Sequence, residues 1–191
     1  MGTELCLKAV EGLKKRGFEA VFAKTGAEAA EIVMKEAESA QSVGWGGSET
    51  VKALGLRERL VAAGKEVRDH QLVMDLFLLS ANAITADGRI VNIDGNGNRV
   101  AASICGPKRV IYLIGRNKIV DGGVDAAIAR IKKFACPPNC KRLGKKTPCA
   151  LAGVCGDCDS PDRICKVTAI FDRKPTGISA KVIVIGEDLG Y

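Results

Sequence analysis

Histidine is nearly absent from this chain: His70 stands alone. A two-histidine metal site is therefore excluded, and Ser-His-Asp chemistry has one candidate base. That candidate sits in the polar run Glu66-Val67-Arg68-Asp69-His70, which reads as surface. Aromatic residues are equally scarce at 4%, and only Phe134 and Phe171 lie near the basic stretch. Nucleic-acid binding wants exposed rings on which bases stack, so this scarcity argues against it. Long apolar runs are missing too. The best, Leu72 to Leu79, is broken by Asp75, far short of the ~18 residues of a membrane span. Met1-Gly2-Thr3-Glu4 has no basic segment leading into an apolar one, unlike a signal peptide, and Cys6 stands where myristoylation needs Ser or Thr. The expectation is a cytoplasmic protein without a membrane partner. Acidic residues are absent between Ala126 and Gly156, where Arg130, Lys132, Lys133, Lys141, Arg142, Lys145 and Lys146 carry the equivalent of the whole net charge of +7. Such a patch suits an anionic partner or ligand, or is simply a solvated face beside thiolates.

What is present fits one core. The chain, with 191 residues and 47% hydrophobic content that is mostly aliphatic, suits Val/Ile-rich buried strands covered by Ala/Leu-rich helices. The spacing predicts a helix through Leu5, Ala9 and Leu13, stopped at Gly17, then a strand Glu19 to Ala23. Thr25 with Glu28 forms a capping box for a helix to about Glu38. Ser42 to Trp45 is a strand, and Ser48 caps a helix running to Gly64. Further strands are expected at Leu76 to Leu79, Arg89 to Ile93, Arg109 to Ile114, Lys166 to Phe171 and Lys181 to Ile185. Helices are expected at Val100 to Cys105 and Val124 to Ala135. Strands alternating with helices imply an α/β fold, an open, mostly parallel sheet flanked by helices, in a single domain over residues 1–191.

Two glycine-rich bends follow strands. Gly44-Trp45-Gly46-Gly47-Ser48 empties a strand into a Ser-capped helix, an arrangement whose free backbone N–H groups suit an anion; it also serves as a tight turn that needs glycine. Asp94-Gly95-Asn96-Gly97-Asn98 is the second, and its Asn and Gly are ordinary turn residues. Near these lie Asn82, Asn92 and Arg99, the last able to clamp a carboxylate or phosphate, or merely an exposed arginine.

The run Asp75-Leu76-Phe77-Leu78-Leu79-Ser80-Ala81-Asn82-Ala83-Ile84-Thr85, followed by Asp87-Gly88-Arg89-Ile90-Val91-Asn92-Ile93-Asp94-Gly95, resembles the lactate-utilization (LUD) domain family. Val43-Gly44-Trp45-Gly46-Gly47-Ser48, Asn98-Arg99-Val100-Ala101 and the closing Gly186-Glu187-Asp188-Leu189-Gly190-Tyr191 extend the resemblance over about Leu13 to Tyr191. The connection between Lys65 and Gln71 looks shorter than in relatives. The resemblance implies the fold of the NagB/RpiA/CoA-transferase-like proteins, with a ligand crevice between Gly46-Gly47-Ser48 and Gly95-Asn96-Gly97. It nominates Gly44, Trp45, Gly46, Gly47, Ser48, Asn82, Asp94, Gly95, Gly97, Asn98 and Arg99 as ligand-binding. Related isomerases carry an acid where Asn82 stands, and an amide cannot shuttle a proton, so inherited isomerase chemistry is not expected. No catalytic residue is nominated.

A cysteine-rich segment spans about 136–166. Cys149, Cys155, Cys158 and Cys165 pack four thiols among glycines, and the Cys155-x-x-Cys158 pair has the size of a metal knuckle. Thiolates favour Zn²⁺ or an iron–sulfur cluster, while buried small hydrophobes are the plainer use of cysteine. A subgroup of the family shares the run from Thr147-Pro148-Cys149 to Arg163-Ile164-Cys165 but not Cys136 and Cys140, which nominates the four as metal ligands. Three functions compete: a component or accessory of NAD-independent lactate or organic-acid utilization, partnered by iron–sulfur oxidoreductase subunits; an enzyme or binder acting on a phosphorylated or CoA-linked small molecule; or a metal- or redox-responsive regulatory module. A small anionic metabolite and a homo-oligomeric state are compatible with each.

Overall fold

The computed structural model describes residues 2–191. Its centre is a six-stranded sheet in the order β1-β10-β7-β4-β2-β3, every pairing parallel. The strands are β1 (Glu19–Ala23), β2 (Ser42–Trp45), β3 (Glu66–Asp69), β4 (Leu76–Leu79), β7 (Arg109–Gly115) and β10 (Ser179–Ile185). Their apolar runs divide by period two between the faces. Phe77, Leu79, Val110, Tyr112, Ile114, Val182 and Val184 pack on one side with helix α1 (Gly2–Lys15). Leu76, Leu78, Ile111, Leu113, Ile183 and Ile185 pack on the other with α2 (Gly26–Glu36), α3 (Glu49–Ala53) and α4 (Leu56–Ala62). A sheet covered on both faces has no polar side to alternate with, which is why these strands read as continuous hydrophobic stretches. Thr25 caps α2 as expected, its hydroxyl accepting from Glu28 N at 3.2 Å.

A second, four-stranded mixed sheet was not anticipated. It runs β8-β5-β6-β9, from β5 (Ala83–Thr85), β6 (Ile90–Asp94), β8 (Ile119–Val120) and β9 (Val167–Phe171). Helices α5 (Asn98–Ile104) and α6 (Val124–Arg130) flank it, and α6 continues through a wider turn at Ile131–Ala135 into α7 (Cys136–Arg142). Ala83, Val91, Ile93, Ala127, Ile131 and Ala135 form its own small core. The single helix expected from Ser48 to Gly64 is broken: Gly55 adopts a left-handed φ of 59°, ending one helix and starting the next. The region between Lys65 and Gln71 holds the edge strand β3, paired to β2. Among the described residues no helix is long and apolar enough to cross a membrane.

Ile84, Ile90, Ile119 and Phe171 of the second sheet join the core under α1, and one backbone contact there is especially close. A Cβ on Gly88 (φ +92°) would lie 2.1 Å from the Gly12 carbonyl carbon, and one on Gly12 would lie 2.5 Å from that of Asp87. Backbone meets backbone there, so no side chain can yield. Gly88→Ala should lower the unfolding free energy by about 3 kcal/mol or more, measured by urea denaturation.

Candidate anion crevice

Three neighbouring parallel strands end at one place. β2 runs out at Gly46-Gly47-Ser48, β4 at Ser80-Ala81-Asn82, and β7 at Arg116-Asn117-Lys118. Open α/β sheets bind ligands beyond the carboxyl ends of their strands, where loops are free to carry polar groups. Here β2 and β4 border a chamber of about 440 Å³ lined by Gly47, Asn82, Asp94, Gly95, Asn98 and Arg99, together with His70, Asn139, Arg142 and Lys145. A recess of about 40 Å³ behind it shares Gly47, Asn82, Arg99 and Arg142 and reaches Ser48, Ser80 and Lys118.

Lys118 closes the recess and is only 4% exposed. Its Nζ donates to Thr50 Oγ1 at 2.7 Å and Ser80 Oγ at 2.9 Å. Those hydroxyls pass their own protons on, to Leu189 O at 3.1 Å and Ala81 O at 3.2 Å. An ammonium has three donors, so one remains for a guest. No carboxylate pairs with it. Burial, with the nearby Arg130 and Arg99 charges, lowers its pKa from 10.5 to about 7. Arg130 is likewise held by carbonyls, Asn82 O at 2.9 Å and Asn117 O at 3.1 Å, and burial lowers its pKa. Lys118, Arg99, Arg130 and Arg142 thus share this corner with Asp94, which pairs with Arg99, and Glu49, which pairs with Arg142; cations outnumber these side-chain carboxylates, a field that favours an anion.

The glycines divide by task. A Cβ on Gly46 would sit 2.3 Å from Arg99 Cγ, so the bare backbone is what lets Arg99 lie across the turn; Gly47 faces open space. Gly44 lies within β2, where a Cβ would meet Gln71 O at 2.7 Å, and it serves packing. Trp45 turns to a neighbouring cleft, its indole bonded to Asp69 and covered by Arg57 at 5.1 Å. Ser48 caps α3 through Val51 N at 3.3 Å, but α3 is a single turn with Glu49 at its start. The cationic side chains, more than this helix end, supply the crevice's positive field.

The polar residues of the second bend are mostly committed to the backbone. Asp94 accepts from Gly95 N at 2.8 Å, Arg99 N at 3.1 Å and Val100 N at 3.4 Å, and its carboxylate meets Arg99 Nε at 3.4 Å. It therefore starts α5 and orients Arg99, whose Nη2 also donates to Ile93 O at 3.0 Å. Gly97 takes φ +79° just before that helix. Gly95 lies under Ile164 O, 2.9 Å from where a Cβ would stand. Asn82 and Asn92 lock β5 to β6: Asn82 N donates to Asn92 Oδ1 and Ile93 N to Asn82 Oδ1, both at 2.9 Å. Asn82 keeps its amide N–H₂ for the chamber, while the fully buried Asn92 Nδ2 has no protein partner.

Lys118 is the residue that the sequence does not disclose; His70 is exposed as its polar surroundings suggest, but its place beside the crevice is new. His70 sits at the crevice mouth with a left-handed φ of 58°, its Nδ1 2.9 Å from Asn98 Nδ2. A non-glycine residue in that conformation was the available signal only once φ was known.

The cysteines gather beside the crevice. Cys149, Cys155, Cys158 and Cys165 line one cavity of about 300 Å³, and Cys140 joins them. Cys136, on α7, lies 3.3 Å from Cys165, sulfur to sulfur. The contact proton favours buried Cys136, whose pKa is raised, while Cys165 is lowered by that contact and by Arg163 and Lys132. Among the described residues, no three His, Cys, Asp or Glu side chains group around the position of one ion.

No curated protein matches this chain. A solved structure of a DUF162 family protein from Deinococcus radiodurans is similar in fold, with TM-score 0.60 and 15% identity, covering 97% of this chain and 98% of that one. The model of the LUD domain matches residues 6–185, nearly the whole chain, so the protein belongs to the LUD domain family.

Proposed function

We propose that the protein is a component of NAD-independent lactate or related organic-acid utilization, and that its crevice binds a small carboxylate metabolite. Membership in the LUD domain family supports the setting. The observation that carries the ligand class is Lys118, a buried side chain with two hydroxyl partners, one spare donor position and no carboxylate paired to it. Burying a cation without a carboxylate is costly, and an anionic guest supplies the missing partner. Asn82, Arg99 and Arg142 stand at the same recess to orient it. No side chain here is assigned a catalytic step.

A phosphorylated or CoA-linked ligand is the second reading, favoured by a chamber of about 440 Å³, a volume in the range of sites for much larger molecules than a three-carbon acid. The two separate by thermal stabilisation. Lactate or pyruvate should raise the melting temperature under the first reading, and sugar phosphates or CoA esters under the second. The setting is tested by affinity purification from the native host and by deletion. Co-purification with an iron–sulfur oxidoreductase and impaired growth on lactate are expected. A lone protein whose loss leaves that growth unchanged contradicts it.

A further inference from the structure

The irregular segment from Gly153 to Lys166 is the longest described stretch without helix or strand, and it has almost no core of its own: Val154 within it is 70% exposed, and Leu151 just before it 92%. Structureless loops of this length inside compact domains are uncommon and call for something that holds them. Part of the answer is Arg163, which donates to Cys158 O at 2.7 Å, Cys165 O at 2.8 Å and Asp157 Oδ1 at 2.7 Å. One guanidinium thereby fixes the Cys155-x-x-Cys158 turn against Cys165. Asp157, at the centre of that turn, takes a left-handed φ of 50°, which bends the chain so that both flanking cysteines reach the same cavity.

We infer that this cavity is the seat of an iron–sulfur cluster ligated by Cys149, Cys155, Cys158 and Cys165. The arrangement separates a cluster from a lone zinc ion. A zinc tetrahedron with bonds of about 2.3 Å holds its four sulfurs about 3.8 Å from one another. Only pairs come close here, Cys136 with Cys165 and Cys140 with Cys149, and no three donors converge on one point. A cluster places its own iron and sulfide atoms between the ligands, so its cysteines ring a cavity, as these four do around about 300 Å³. Apolar Ile93, Ile128 and Ile164 complete the walls, and Lys132 and Arg163 face the negative charge that four thiolates bring. Cys140, on α7, lines the same cavity as a fifth thiol and stands against Cys149, which leaves it as the spare. Cys136 lines the anion crevice instead of this cavity. Ile93, Ile164 and Cys165 border both spaces, so the cluster shares a wall with the crevice.

The inference does not depend on the proposed function, because its test needs no metabolite. The full chain, purified anaerobically, is incubated with ferric iron, sulfide and an excess of a dithiol that supplies the electrons for partial reduction of the iron, and in parallel with zinc chloride, then desalted. Iron and acid-labile sulfide should be retained in equal amounts, about four of each per chain for a cubane, with broad visible absorption that dithionite bleaches. Cys155→Ser and Cys158→Ser should each lose most of the iron. Cys140→Ala and Cys105→Ser, the latter on the exposed thiol after α5, should retain it. Circular dichroism checks that the variants fold, and the wild-type stoichiometry stands without them. Retention of one zinc in place of iron, retention of no metal at all, or a cluster that survives both serine substitutions overturns it.

Discussion

Lys118→Met should abolish binding of small carboxylates, a loss of at least about 100-fold, while making the folded protein more stable in mild acid. The two effects share one cause. Lys118 has a folded pKa of about 7 against an ordinary value of 10.5. Below pH 7 both folded and unfolded chains carry its proton, so the fold bears the full cost of a buried charge. Between pH 7 and 10.5 the unfolded chain binds more protons than the folded one, and stability rises with pH. Above that range both forms are neutral and the penalty is gone. Methionine removes the charge at every pH, so the gain should be largest near pH 6, on the order of 1–4 kcal/mol, and shrink across the interval above 7. The freed Thr50 and Ser80 hydroxyls blunt it little, because each already donates to a carbonyl. Urea denaturation of both proteins across pH measures the difference. A variant less stable than wild type at pH 6 would contradict the account.

Gly46→Ala should weaken anion binding by about 10- to 100-fold and leave the fold intact. Its backbone φ lies outside the left-handed region, so alanine is not strained there; the added methyl collides with the Arg99 side chain, 2.3 Å from Cγ and 3.0 Å from Cδ, and just touches Asn98 Nδ2. A flexible side chain can move, and when Arg99 moves it leaves the recess and its hydrogen bond to Ile93 O. Arg99→Ala in the Gly46→Ala background should then cost almost nothing more, since both changes remove the same guanidinium. Calorimetric titration of the two single variants and the double variant reads this directly. Additive losses would mean that Gly46 acts through something other than Arg99.

How much of this was legible in the sequence follows burial. β1, β2, β4, β7 and β10 were readable because a doubly covered strand is an uninterrupted apolar run, and Gly17 and Thr25 mark helix ends by local chemistry alone. β3, β5 and β8 were not: Glu66–Asp69 is polar because it is an edge, and the other two are three and two residues long. β3 and β8 become strands by pairing with segments far along the chain, and β5, though its partner β6 follows at once, is too short for its alternation to show. The helix after Ser48 is shorter than the spacing of Val51, Leu54, Leu60 and Val61 suggests, because Gly55 turns left-handed between two helices. Of the candidate site residues, the structure brings Gly47, Asn82, Asp94, Gly95, Asn98 and Arg99 to one chamber. It turns Trp45 away and uses Gly44 for packing. Lys118 was invisible. It lies in Arg116-Asn117-Lys118, which looks like a surface loop, and only Thr50, Ser80 and the C-terminal Leu189-Gly190-Tyr191 turn bury it.

The central claim is that this corner of the fold binds an anion with Lys118 as its counter-charge. Calorimetry of lactate, pyruvate and inorganic phosphate in buffers of different ionisation enthalpy, at about pH 8, tests it most directly. At that pH the free amine is mostly neutral, and a bound anion restores its charge, so binding should take up close to one proton per anion and weaken about tenfold per further pH unit. Lys118→Met should show neither binding nor uptake. Binding of any of these anions without proton uptake, and undiminished in that variant, would contradict the account.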